Sequence, residues 1–178
     1  MPEVQIREAT SRDVPVILAL IKDLAQYERL ADQVVATEAR LHQSLFGDVP
    51  RAEVLLAWDG GTAVGFALWF HNYSTFLGRP GLYLEDLFVK PEYRHRGVGT
   101  RLLRHLAAVA VARGCGRMEW SVLNWNTRAI ALYERLGAVR MDEWHLYRVT
   151  GQALVALAGR TSDDAETPET PGAEGVHT

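Results

Sequence analysis

The 178 residues are 48% apolar and 23% charged, an ordinary balance for one globular domain with a real core. The net charge of −3 is uneven: residues 160–178 hold one Arg and five acids, a net of −4, so the remainder is close to +1 and offers nucleic acid no basic surface. A single cysteine, Cys115, rules out an intrachain disulfide and fits a reducing compartment; no apolar run approaches the ~20 residues of a membrane span and no signal peptide is visible, so a cytoplasmic protein is expected.

Residues 4–7 read as a first short strand. Thr10 or Ser11 can cap a helix with Asp13 in its first turn, and Pro15 falls early enough to be tolerated. Val14, Ile17, Leu18, Ile21, Leu24 and Ala25 form its apolar stripe, which fades at Tyr27-Glu28-Arg29. A second capped helix is predicted over 37–46, with Leu41 and Leu45 inward and Gly47 as its stop. Residues 53–58 and 62–70 read as two strands of a hairpin turned by Asp59-Gly60-Gly61. A loop containing Asn72, Gly78, Arg79, Pro80 and Gly81 leads to a strand through Leu82, Leu84, Leu87 and Val89, stopped by Pro91.

A basic loop follows, Tyr93-Arg94-His95-Arg96, then Gly97-Val98-Gly99, then a helix marked by Leu102, Leu103, Leu106, Val109 and Ala110. Gly114 and Gly116 mark a turn, 118–122 a strand, and 125–136 a helix ended by Gly137. Residues 138–141 and 144–149 are expected as a last pair of strands, and 152–157 as a final helical turn. From Arg160 onward the chain has almost no apolar residues and is expected to be a disordered acidic tail, leaving a folded domain of residues 1–159. Strands alternating with helices give an α/β fold on one mixed sheet.

The loop between the central strand and the long helix carries the first chemical signal. A helix start leaves about four backbone N–H groups without partners and concentrates roughly half a positive charge. Glycines let a bulky anion reach the backbone, and two arginines add charge. The stretch is suited to a phosphate or pyrophosphate. It is neither a dinucleotide fingerprint nor a P-loop, whose further Gly and Gly-Lys-Ser/Thr are missing. A tight strand-to-helix turn is the bland alternative.

Arg94-x-x-Gly97-x-Gly99 after a strand resembles the coenzyme A pyrophosphate loop of the GNAT N-acetyltransferases. Asn126, Tyr133 and Gly137 resemble the second signature of that superfamily. Leu84-Glu85-Asp86-Leu87-Phe88-Val89 resembles the Leu-Glu-Asp-x-x-Val strand of the spermidine/spermine (diamine) and thialysine acetyltransferases. Leu24-Ala25-Gln26-Tyr27-Glu28 and Asp32-Gln33-Val34 resemble their first helix and loop; Tyr73-Ser74-Thr75 and Val122-Leu123-Asn124-Trp125-Asn126 lie closer to the thialysine branch. The likeness runs from about Val4 to Leu157.

The resemblance implies a GNAT acyl-CoA N-acyltransferase fold: one mixed, mostly antiparallel sheet, helices on both faces, and a splayed central strand pair. It implies acetyl-CoA as co-substrate. The pyrophosphate falls to Arg94, His95, Arg96, Gly97, Val98, Gly99 and Thr100, the pantetheine arm to the backbone of Leu87, Phe88 and Val89, and further coenzyme A contacts to Asn126, Arg128 and Tyr133. It implies a small cationic amine as substrate, met by Tyr27, Glu28 and Glu85, and a homodimer joined through the last strands.

Elementary chemistry says why such residues are needed. A primary alkylamine has a pKa near ~10.4, so about one molecule in 10³ is free base at neutral pH. A nearby carboxylate can hold the ammonium and accept its proton. Glu85 and Asp86 are adjacent on a strand, so simple alternation points them to opposite faces; in the resembled family the Glu is the substrate-side acid, which selects Glu85. The departing thiolate needs a proton, and Tyr133, with a phenol pKa near ~10, is the expected donor. Only residues 139–143 separate Ala138 from Trp144, shorter than in the polyamine enzymes, so an acid for the far end of a polyamine can be placed only at Asp142 or Glu143 and shorter amines stay open. The six histidines show no metal spacing and no metal is expected. Two alternatives stand beside the small-amine reading: a protein lysine or N-terminal acetyltransferase, and a non-catalytic acyl-CoA-binding sensor. Neither a membrane nor nucleic acid is expected as a partner.

Overall fold

A computed structural model describes residues 4–159; the expected acidic tail, 160–178, lies outside the described residues. The chain divides into two compact units, one ending at Ser121 and one beginning at Val122.

The first unit opens with β1 (Gln5–Glu8), a 3-10 turn (Ser11–Asp13) and α1 (Val14–Glu28). Thr10 and Asp13 fix this entry: the Thr10 amide and hydroxyl both donate to one carboxylate oxygen of Asp13 at 2.8 Å. Arg7 closes the corner with two hydrogen bonds of 2.9 Å to the same carboxylate. α1 ends where Arg29 turns left-handed (φ 64°), and its amide returns to the last turn. Thr37 caps α2 (Glu38–Phe46) by accepting from the Arg40 amide.

Then come β2 (Glu53–Asp59), β3 (Thr62–Ser74), β4 (Arg79–Val89), α3 (Val98–Ala112) and β5 (Met118–Trp120). The sheet order is β1-β2-β3-β4-β5, antiparallel throughout except for the parallel β4–β5 pair. α1 and α2 cover one face, where Ile17, Leu20, Leu41 and Leu45 pack with Val54, Leu56, Phe66 and Phe88. The intervening strand residues Leu55, Ala57, Val64, Ala67 and Trp69 point the other way, toward the side of α3, whose Leu102, Leu103, Leu106 and Ala110 are buried.

The β3–β4 hairpin is longer than the sequence suggests. Asn72, Arg79, Pro80 and Gly81, expected in a loop, lie within its strands, and only residues 75–78 turn. Pro80 is tolerated because its carbonyl, not a missing N–H, makes the local bond, accepting from the Gly116 amide at 2.8 Å. Gly81 leaves room for the Asn72 side chain, which any Cβ there would strike.

The second unit holds α4 (Thr127–Arg135) and α5 (Gly151–Leu157). The strands expected at 138–141 and 144–149 do not form. A turn at 142–143 separates two irregular stretches, and Val139, Met141, Trp144, Leu146 and Tyr147 are exposed. Alternating apolar residues mark a segment able to join a ladder, but a strand exists only where a neighbour supplies the hydrogen bonds. Among the described residues no helix is long and apolar enough to cross a membrane, and no cluster of His, Cys, Asp or Glu is arranged to hold a metal.

Candidate active site

The start of α3 fits a pyrophosphate. His95 and Gly97 both adopt left-handed conformations (φ 64° and 74°), and these turn the chain so that the helix begins at Val98. The first bond into the helix runs from the Arg101 amide to the Gly97 carbonyl, 3.0 Å. The helix therefore does not use the amides of Val98, Gly99 and Thr100. A Cβ on Gly97 would meet nothing within 4 Å, so space lies open beside those donors. The two arginines are engaged elsewhere: Arg96 pairs with Asp59 at 3.1 Å and lies over the Tyr93 ring, while Arg94 turns inward. The cradle is made of backbone.

β4 carries the second feature. Its parallel partner β5 reaches only Leu82, Tyr83 and Leu84. Beyond Leu84 that edge pairs with no strand among the described residues, which is the splay expected of the central pair. The Lys90 amide donates to Val64 in β3, so antiparallel alternation aims the amides and carbonyls of Leu87 and Val89 at the open edge. These main-chain groups suit an extended pantetheine arm; Phe88 instead bonds toward β3 and buries its ring against α1.

A β-bulge lies where the edge opens. Leu68 pairs with Asp86 and Trp69 with Leu84, leaving Glu85 without a partner. Strict alternation would set Leu84 and Asp86 on one face. The extra residue sends Leu84 to the α3 side with Trp69, and Asp86 to the α1 side with Leu68 and Phe88. Glu85 is exposed and Asp86 is mostly buried. Burial, the Glu85 charge and the Glu28 charge together push the Asp86 carboxyl up to about 7. Glu28, half-buried at the end of α1, is itself raised by burial. Beside it, the Tyr27 ring stands 6.4 Å from Phe88. Three carboxylates thus meet at one end of the open edge. Such a site attracts a cation and holds a base that titrates near neutrality.

Residues 18–138 match the acetyltransferase (GNAT) family. The chain belongs to that family. It is 43% identical over 171 residues to the thialysine N-epsilon-acetyltransferase of Bos taurus, covering 90% of this chain and 100% of that one. It is 35% identical to the L-ornithine N5-acetyltransferase of Arabidopsis thaliana, over 86% of this chain and 87% of that one. A solved integron cassette protein of V. cholerae superposes with a TM-score of 0.75 at 26% identity, covering 89% of this chain and 99% of that one. An aminoglycoside acetyltransferase from a soil metagenome shares the fold at a TM-score of 0.71 and 21% identity, covering 84% of this chain and 100% of that one.

For this N-acetyltransferase, with acetyl-CoA as the family's co-substrate, the first unit gathers Tyr27, Glu28, Glu85, Leu87, Phe88, Val89 and the loop from Arg94 to Thr100. Asn126, Arg128 and Tyr133 belong to the second unit. There Asn126 caps α4, its side-chain oxygen accepting from the Ala129 amide at 3.3 Å. Arg128 is exposed in the first turn, and Tyr133 is half-buried two turns on. Asp86 joins the expected Glu85 at this site because of a bulge that a period-two pattern cannot register; the adjacent pair of acids is the signal the sequence offers. Arg94, expected among the coenzyme A residues, directs its side chain over the Tyr27 ring.

Proposed function

We propose that this GNAT enzyme acetylates the primary amine of a small cationic substrate, an amino acid of the thialysine type ahead of a long polyamine. The observation that carries this reading is the cluster of Glu28, Glu85 and Asp86 at the open end of β4, with Asp86 raised to about 7. The names of the relatives and the short 139–143 connection favour the shorter substrate.

Acetyl-CoA, when bound, supplies an activated acetyl group and a thiolate leaving group. The amides of Val98, Gly99 and Thr100 hold the pyrophosphate end, with His95 and Gly97 shaping the loop and Arg96 bracing it on Asp59. The main-chain groups of Leu87 and the amide of Val89 align the arm, and Phe88 backs them. Glu28, Tyr27 and Glu85 draw in the ammonium. Asp86, poised near neutrality, takes the proton that must leave before the nitrogen can attack. This shares between two residues the acid role first expected of Glu85 alone. Tyr133 returns a proton to the departing sulfur, while Asn126 and Arg128 hold coenzyme A. A homodimer and cytoplasmic residence complete the reading; the exposed apolar residues of 138–149 and the single free thiol support them.

The test is a turnover screen that follows thiol release from acetyl-CoA with thialysine, lysine, putrescine, spermidine, spermine and a lysine peptide. Selective turnover of thialysine or another short amine is expected. A preference for the peptide would move the enzyme to protein substrates, and binding of coenzyme A without turnover of any amine would make it a sensor. Tyr133→Phe should lower kcat by about 10² to 10⁴ with coenzyme A still bound; full activity would remove Tyr133 from the proton path.

A further inference from the structure

Arg94 sits in the pyrophosphate loop, yet its side chain leaves the helix start. Its Nε–H donates to the Val89 carbonyl at 2.9 Å. That carbonyl points to the open edge of β4, so the arginine occupies one acceptor there. The guanidinium carbon then lies over the Tyr27 ring, 4.2 Å from its centroid, and 5.8 Å from that of Phe88. Tyr27 adjoins Glu28, whose charge acts on Asp86. A continuous path therefore runs from the cofactor loop through Arg94 and Tyr27 to the carboxylates. A planar cation held by a carbonyl and stacked on an aromatic ring has little freedom, and lysine cannot reproduce both contacts.

We infer that Arg94 is a positioning residue that locks the pyrophosphate loop to the Tyr27–Glu28 wall of the amine pocket, so that loop and pocket adopt their binding geometry together. This deepens the proposed function and rests on it for the identity of the pocket. The arginine acts through its stack, not through the phosphate.

A double-mutant cycle read by calorimetric titration with coenzyme A tests this without requiring turnover. Tyr27→Ala, a change on α1 and outside the pyrophosphate loop, should weaken coenzyme A about three- to ten-fold, and Arg94→Ala by a similar factor. The double variant should be no worse than Arg94→Ala, because both changes break one link. Tyr27→Phe, which keeps the ring, should bind coenzyme A as the parent does, and circular dichroism checks that each variant is folded. A silent Tyr27→Ala beside a weakened Arg94→Ala would make Arg94 a phosphate ligand and overturn the proposal; so would losses that multiply. In the amine assay, Arg94→Lys, which keeps the charge and loses the link, should raise the acetyl-CoA KM about three- to ten-fold and the amine KM with it, and an amine KM that stays at the parent value would also count against the proposal. If the parent enzyme turns over no amine, the functional reading fails, while the cycle still decides the link.

Discussion

Two aspartates of the first unit, the buried Asp13 and the partly buried Asp86, meet opposite surroundings. At the entry to α1, Asp13 receives two hydrogen bonds from Arg7 and two from Thr10, and the Arg7 guanidinium holds its carboxyl well below the usual range. At the β4 bulge, Asp86 has two other acids for company and is pushed up to about 7. The first is a closed, satisfied corner that stabilises the fold. The second is an open corner of like charges, which in the proposed function a cationic amine completes. Burial raises a carboxylate in both places; the partners decide whether the result is structure or chemistry.

The largest expected effect breaks the open corner. Asp86→Asn keeps shape and removes the base, and should lower kcat/KM by about 10³, or ~4 kcal/mol of transition-state free energy. Glu85→Gln should cost less; a larger loss there would return the proton-accepting role to Glu85. The same Asp86→Asn variant should melt higher than its parent at pH 8. An acid whose folded pKa lies above its unfolded value makes the fold less stable as pH rises from about 4 to about 7, and the asparagine no longer titrates.

The closed corner breaks in the other direction. Arg7→Ala leaves Asp13 charged and buried without its partner, and should cost about 2 to 3 kcal/mol by denaturant titration at pH 7. Asp13 has a depressed folded pKa, so its contribution is present above about pH 4 and fades as pH falls further. The stability difference between parent and Arg7→Ala should shrink below pH 4, while activity per folded molecule stays unchanged. A variant as stable as the parent at pH 7 would show that the pair is surface decoration.

The smallest effect sharpens the comparison. Glu28→Gln removes one of the two charges that raise Asp86 and should move the acidic limb of the kcat/KM–pH profile down by less than one pH unit. A limb that stays in place would mean that burial and Glu85 alone set the Asp86 pKa.

Much of this was legible in residue order. The capped helices, the Asp-Gly-Gly hairpin turn, Pro91 ending the central strand and Gly97 at the helix start are local events, decided by φ preferences and unpaired amides within a few residues. The anion cradle followed from them, and the family from the motifs around Arg94, Glu85 and Tyr133. What order could not carry depended on partners distant in sequence. The bulge at Glu85 exists because β3 and β4 fall out of step between Leu68 and Trp69, and it alone decides which acid enters the α1 face. The Arg94 side chain is placed by a ring on α1, 67 residues earlier. Residues 138–149 have the alternation of strands without being strands, because a ladder is a property of two segments and the sequence writes only one of them at a time.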